Sequence, residues 1–180
     1  MRQSKINIVK ELNKQLMKIH HLANLVEQKH SEGSTSFRSW LFETEEIMTK
    51  HNLPQVSQLA TLRAELANYI PKAKHKRKDF FNYVARLLSQ AQDDVWQTCE
   101  LFNQKTQQAT DLVKQLITLV AQAKVLKFEP HTDFTAFLEN IWLFCNRHEQ
   151  LKSITIQILS LINKSDVLLI MAEEIDLNDF

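Results

Sequence analysis

Glycine is almost missing from this chain of 180 residues. Gly33 stands alone where average usage would give roughly a dozen. Proline occurs three times and cysteine twice. Tight turns at positive φ and strand-rich folds draw on glycine. Its scarcity excludes barrels, sandwiches and glycine-fingerprinted nucleotide-binding folds, and it predicts an all-α bundle with long, partly coiled-coil-like helices. The cysteines, Cys99 and Cys145, lack CxxC spacing and sit among apolar neighbours at helical spacing, which predicts reduced core thiols. No run approaches about 18 apolar residues, so no membrane span is expected. The segment from Ser4 into the first amphipathic stretch lacks the apolar core of a secretory signal. The cytoplasm is the expected compartment.

Recognisable catalytic spacing is missing too. No serine occupies a Gly-x-Ser-x-Gly elbow, and phosphate-cradling loops need glycines that are absent. No arginine is followed four to six residues later by histidine, the mark of helical ribonucleases of the HEPN type. Glu27 and His30 form one Glu-x-x-His unit, but a di-iron bundle needs two, with further glutamates. His20 and His21 are adjacent and point to different sides of a helix. No metal, cofactor or enzymatic activity is expected, and a helical nuclease or metal enzyme is the least favoured class.

What is present begins with charge. The formal net charge is +1, but residues 165–180 carry five acids and no Lys or Arg, leaving a more basic body ahead of an acidic end. That asymmetry suits an acidic partner. Apolar residues at steps of three and four (Ile6, Val9, Leu12, Leu16, Ile19, Ala23, Val26) predict a first helix from Ser4 to about His30. Residues 31–36 read as the clearest loop, with Ser36 capping a second helix that holds Phe37, Trp40, Leu41, Phe42, Ile47 and Met48. A third helix is expected from Pro54 to Tyr69. Residues 79–127 contain no Gly or Pro, so one long helix is possible, with a break or an exposed stalk where 103–110 turns polar. Beyond Pro130, Thr132 or Asp133 can cap an apolar carboxy-terminal third. Residues 1–172 read as one helical domain with a basic connector at 72–78, and residues 173–180 as an acidic mobile tail.

Two stretches suggest binding. Lys72, Lys74, Lys76, Arg77 and Lys78 place five cations beside Phe80 and Phe81. Cations that neutralise phosphates and aromatics that stack on bases make a single-strand-binding surface. The plainer reading is a solvated connector beside core aromatics. The acidic 173–180 stretch, with Ile175, Leu177 and Phe180, is either a disordered end or a linear motif for a basic, apolar pocket.

The string Phe37-Arg-Ser-Trp-Leu41-Phe42-Glu-Thr44, followed by Leu59-Ala-Thr-Leu62-Arg63, resembles the primosomal replication protein PriC family. These residues (Phe37, Leu41, Phe42, Thr44, Leu59, Leu62, Arg63) are mainly structural. Helix spacing around Leu12, Gln15 and Leu16 is similar, with weaker echoes at Val84–Leu88 and Leu143–Cys145. The resemblance implies a non-enzymatic replication-restart protein. Such a protein binds the acidic tail of single-stranded DNA-binding protein (SSB) and single-stranded DNA at abandoned forks, and promotes loading of the replicative helicase. It further implies cations for the SSB tail, nearest here to Lys114 and Arg147, while Gln115 stands near a position where the family carries arginine. The ending Asp179-Phe180 offers the chemistry of an SSB tail and is a candidate for the same pocket. The alternative is a helical adaptor that binds another protein and no nucleic acid.

Overall fold

The computed structural model describes residues 3–70, 76–129 and 131–180, and every regular element among them is helical. In chain order these are α1 (Lys5–Glu27), α2 (Gly33–Lys50), α3 (Val56–Ala67), α4 (Lys76–Ala123), α5 (Phe134–Arg147), α6 (Glu149–Leu161) and α7 (Lys164–Glu174), with a final 3-10 turn at Leu177–Asp179. The all-α class is the one the composition demands. Among the described residues no helix is long and apolar enough to cross a membrane.

Sequence alone suggests one domain over 1–172, whereas the contacts divide the chain into two compact units. One holds Asn7–Leu101; the other holds Phe102–Phe180 with the amino-terminal residues through Ile6.

In the Asn7–Leu101 unit, α1 buries Ile8, Leu12, Gln15, Ile19, Leu22 and Val26. Leu12, Ile19 and Val26 of the expected seam are buried, but the positions between them are Ile8, Gln15 and Leu22 rather than Val9, Leu16 and Ala23, which are only half-buried. Gln15 conceals this in the sequence because it is polar. Its backbone carbonyl accepts the Trp40 indole N–H at 3.0 Å, which fixes α2 against that face. α2 packs on α3.

The turns correct the reading of the lone glycine. Residues 33–36 are helical rather than loop, and Ser36 caps nothing, since α2 begins at Gly33. Gly33 is buried, and a Cβ there would meet the Leu25 carbonyl oxygen at 3.2 Å. Its role is close approach, not a turn. Positive φ is supplied instead by Lys29, Asn52 and Lys124. After α1, His30 N–H reaches Leu25 O and Lys29 N–H reaches Val26 O; after α2, Leu53 N–H reaches Met48 O and Asn52 N–H reaches Thr49 O. Both are six-to-one and five-to-two closures of a helix end by a left-handed residue.

α4 runs unbroken through the polar 103–110 stretch. Thr106 and Thr110 bond back to carbonyls of the preceding turn, and Gln107 donates to Asp111 at 3.1 Å, so the side chains are satisfied without leaving the helix. The carboxy-terminal core is built on Val113, Leu116 and Val120 of α4, Ile141 of α5, and Ile158 and Met171 further on, all buried. Asp133 caps α5 as the sequence suggests, its carboxylate accepting the Ala136 N–H at 2.8 Å. α5 packs on both α6 and α7, and the last two meet at 111°.

The 173–180 stretch, expected to be a mobile tail, is placed in structure: Glu173 and Glu174 complete α7, and Phe180 packs against the aromatic core of its unit.

Candidate functional site

The resemblance string serves the core first. Phe37, Leu41, Thr44, Leu59 and Leu62 are buried. The Thr44 hydroxyl donates to the Trp40 carbonyl at 2.7 Å. Arg63 grips the nearly buried Glu45 with two bonds, Nε at 2.7 Å and a terminal nitrogen at 3.1 Å, so its partly exposed cation is committed to an internal carboxylate. Phe42 departs from the expected core-forming set: it is 52% exposed. One residue beyond buried Leu41, it lies about 100° around the helix from the packed face.

Of the basic stretch, Lys72 and Lys74 lie outside the described residues. Lys76, Arg77 and Lys78 form the exposed first turn of α4. Cations at a helix N-terminus oppose the helix dipole, so this turn gains nothing locally from holding three of them. Arg77 has an internal role, donating to the Lys29 carbonyl at 2.9 Å and so satisfying the closure of α1. Phe81 is buried, and half-buried Phe80 meets Tyr69 in a tilted contact at 5.3 Å and Phe81 edge-on at 5.6 Å. Phe81 is thus core and Phe80 borders it, while the three cations face solvent.

A different arrangement surrounds Lys114. The outer face of α4 and the acidic end of the chain form the two walls of a groove of 680 Å³. Lys114, Ile117, Thr118, Ala121 and Lys124 line one wall; Glu174, Asp176 and Asp179 line the other. Lys114 Nζ meets Glu174 Oε2 at 3.1 Å. Beyond the acids, the Phe180 ring stands edge-on to Phe137 at 5.5 Å, and Phe137 in turn packs on Phe128 at 5.1 Å. The Phe128 N–H donates to the Phe180 backbone oxygen at 3.1 Å. Arg147, the second cation assigned by resemblance, is exposed in the last turn of α5 and does not line the groove. The structure therefore pairs Lys114 with an acidic, Phe-bearing segment of the same chain, and Arg147 takes no part.

Chemically the groove is equipped to bind. Its walls carry Lys114, paired with Glu174 of α7, and Lys124, and beyond the acidic wall lie the Phe128–Phe137 nest and the Phe128 N–H that receive Phe180. Among the described residues no three His, Cys, Asp or Glu side chains converge as a metal site. Both cysteines are buried and unpaired. Burial pushes the Cys145 thiol up to about 12 and raises that of Cys99, with Glu100 adding to the latter, so both remain protonated thiols near neutrality. Lys114 was accessible to sequence reasoning through resemblance; the Phe128–Phe134–Phe137 nest was not, because its members read as ordinary core. Compared with protein-family models, curated proteins and solved structures, the chain matches none.

Proposed function

We propose that this chain is a non-enzymatic replication-restart protein. In this reading it binds the acidic tail of SSB through the Lys114 groove, contacts single-stranded DNA through the 72–78 cations, and helps to reload the replicative helicase. The observation that carries it is the groove's chemistry. Lys114 already receives the Glu174 carboxylate in the groove, and beyond its acidic wall an aromatic nest receives Phe180, which is the chemistry an acidic peptide ending in Phe would present. The string from Phe37 to Arg63 supports it from the sequence side.

The test is retention of SSB on immobilised protein. Intact SSB should be retained, SSB lacking its terminal Phe should pass through, and Lys114→Glu should abolish retention of intact SSB. Retention indifferent to the terminal Phe would end the reading.

One observation favours a second reading, a helical adaptor that binds protein and no nucleic acid. Phe81 is buried, half-buried Phe80 is engaged with Tyr69 and Phe81, and Arg77 donates to Lys29 O, so both aromatics and one cation of this stretch already have partners inside the fold. Salt-dependent binding to a single-stranded oligonucleotide, lost when Lys72, Lys74, Lys76 and Lys78 become alanine, separates the two.

A further inference from the structure

We propose that residues 175–180 are a displaceable strap that walls the Lys114 groove in cis and seats Phe180 beside it, and that the vacated seat accepts in trans an acidic peptide carrying an aromatic side chain. The inference rests on the reading of that groove as a peptide-docking site and adds its regulation.

Four observations carry it. First, the strap is lightly attached. Beyond the Ile175 N–H to Met171 O bond that closes α7 and the packing of Ile175 on the core, it is held among the described residues by Phe128 N–H to Phe180 O and by Phe180 on Phe137. Its remaining hydrogen bonds are internal: Asp176 accepts from the backbone and side-chain nitrogens of Asn178, and the Phe180 N–H donates to Leu177 O. Second, the receiving site is built without it. Phe128 packs on Phe137 at 5.1 Å and on Phe134 at 6.5 Å, so an aromatic nest persists when Phe180 leaves. Third, the two walls are complementary, Lys114 and Lys124 facing Glu174, Asp176 and Asp179. Fourth, 680 Å³ stays open between those walls, whereas elements that complete a core close-pack against it.

The chemistry of the occupant defines the partner. Its acids face the lysines, and its ring enters the nest edge-on. A peptide of that composition makes the same contacts in trans, against an effective cis concentration in the millimolar range expected for a short tether. A strap closed about nine-tenths of the time weakens trans binding about tenfold.

The probe is a fluorescent peptide with the sequence of residues 173–180, titrated by anisotropy. It should bind the full chain weakly. Deletion of 175–180, or the single change Phe180→Ala, should tighten binding by about tenfold, and Lys114→Glu placed in the deleted chain should reverse that gain. A deleted chain that melts cooperatively and binds no tighter overturns the strap. Should the deletion unfold the protein, Phe180→Ala decides by the same criterion; unfolding by both would make the segment integral to the core and equally overturn the proposal. An SSB-tail peptide run in parallel separates the two readings. If the chain's own peptide binds and the SSB peptide does not, the strap stands and the replication reading falls. If the SSB peptide binds full and deleted chains equally, the strap falls and the replication reading stands.

Discussion

The carboxylate of Asp166 accepts the backbone N–H of Lys5 at 2.8 Å, across 161 positions of sequence. The same carboxylate accepts the Ser4 hydroxyl, and Asp166 is fully buried. It thus acts as an N-cap supplied from α7 to α1, meeting amides that the first turn of a helix leaves unpaired. Asp166 is itself held, its own N–H donating to Asn163 Oδ1 at 2.8 Å. Asp166→Ala should cost about 1–3 kcal/mol, since it strands a buried donor beside a cavity. Asp166→Asn, which keeps an acceptor, should cost less. Urea unfolding measures the first, and faster amide exchange at Lys5 in both variants would localise it. An alanine variant as stable as the parent would show that the cap is idle.

Gly33 makes a second, steric prediction. Its missing Cβ would fall 3.2 Å from Leu25 O and 3.3 Å from Leu25 C, backbone atoms that cannot rotate away. Gly33→Val should therefore destabilise by roughly 1–3 kcal/mol. Gly33→Ala should cost less, because the helix gains about 1 kcal/mol from replacing glycine. Thermal melts of both variants check the order, and a valine variant at least as stable as alanine would refute it.

Those two residues mark how far the sequence was legible. Scarce glycine led correctly to helices, α2 and α3 lie close to their expected spans because apolar periodicity marks them, and α5 starts where Asp133 marks it. It led wrongly on turns, because Lys29, Asn52 and Lys124 adopt positive φ; a left-handed C-terminal closure depends on bonds that repay the strain, which composition does not display. Half of the buried side of α1 was misplaced by one residue because Gln15 is buried there and polar. Asp166 counted as one of five acids near the end of the chain, yet its role depends on a partner 161 residues away. The groove was half legible. Lys114 came from resemblance, but its partner Glu174 and the seat of Phe180 are tertiary facts.

A pH dependence follows from Glu11. Its carboxylate lies between Lys50 Nζ at 2.6 Å and His51 Nε2 at 2.9 Å. The Lys50 hydrogen bond, aided by His51 and opposed by partial burial, holds the carboxyl below its ordinary value of 4.5. A depressed native pKa gives stability that is complete above the unfolded value and is lost as pH falls through the native one. Glu11→Gln should therefore be less stable than the parent at pH 7, and the gap should close as pH drops below about 4.5. Urea midpoints at pH 7 and pH 3 measure this. A gap that widens in acid would contradict the assignment.

The first turn of α4 allows binding and folding to be separated residue by residue. Arg77 donates to Lys29 O, while Lys76 and Lys78 lie exposed on the same turn. Arg77→Ala should thus lower stability, by about 1 kcal/mol as for a single hydrogen bond, whatever it does to ligand affinity. Lys76→Ala with Lys78→Ala should not lower the melt and should raise it slightly, because it relieves the repulsion between like charges and the helix dipole. If these lysines touch phosphates, the pair should also flatten the salt dependence of single-strand binding. The log–log slope would fall by about 1.4, because each neutralised phosphate contributes about 0.7. Affinity and slope both unchanged in the double variant would remove this turn from any nucleic-acid surface, and the adaptor reading would gain accordingly.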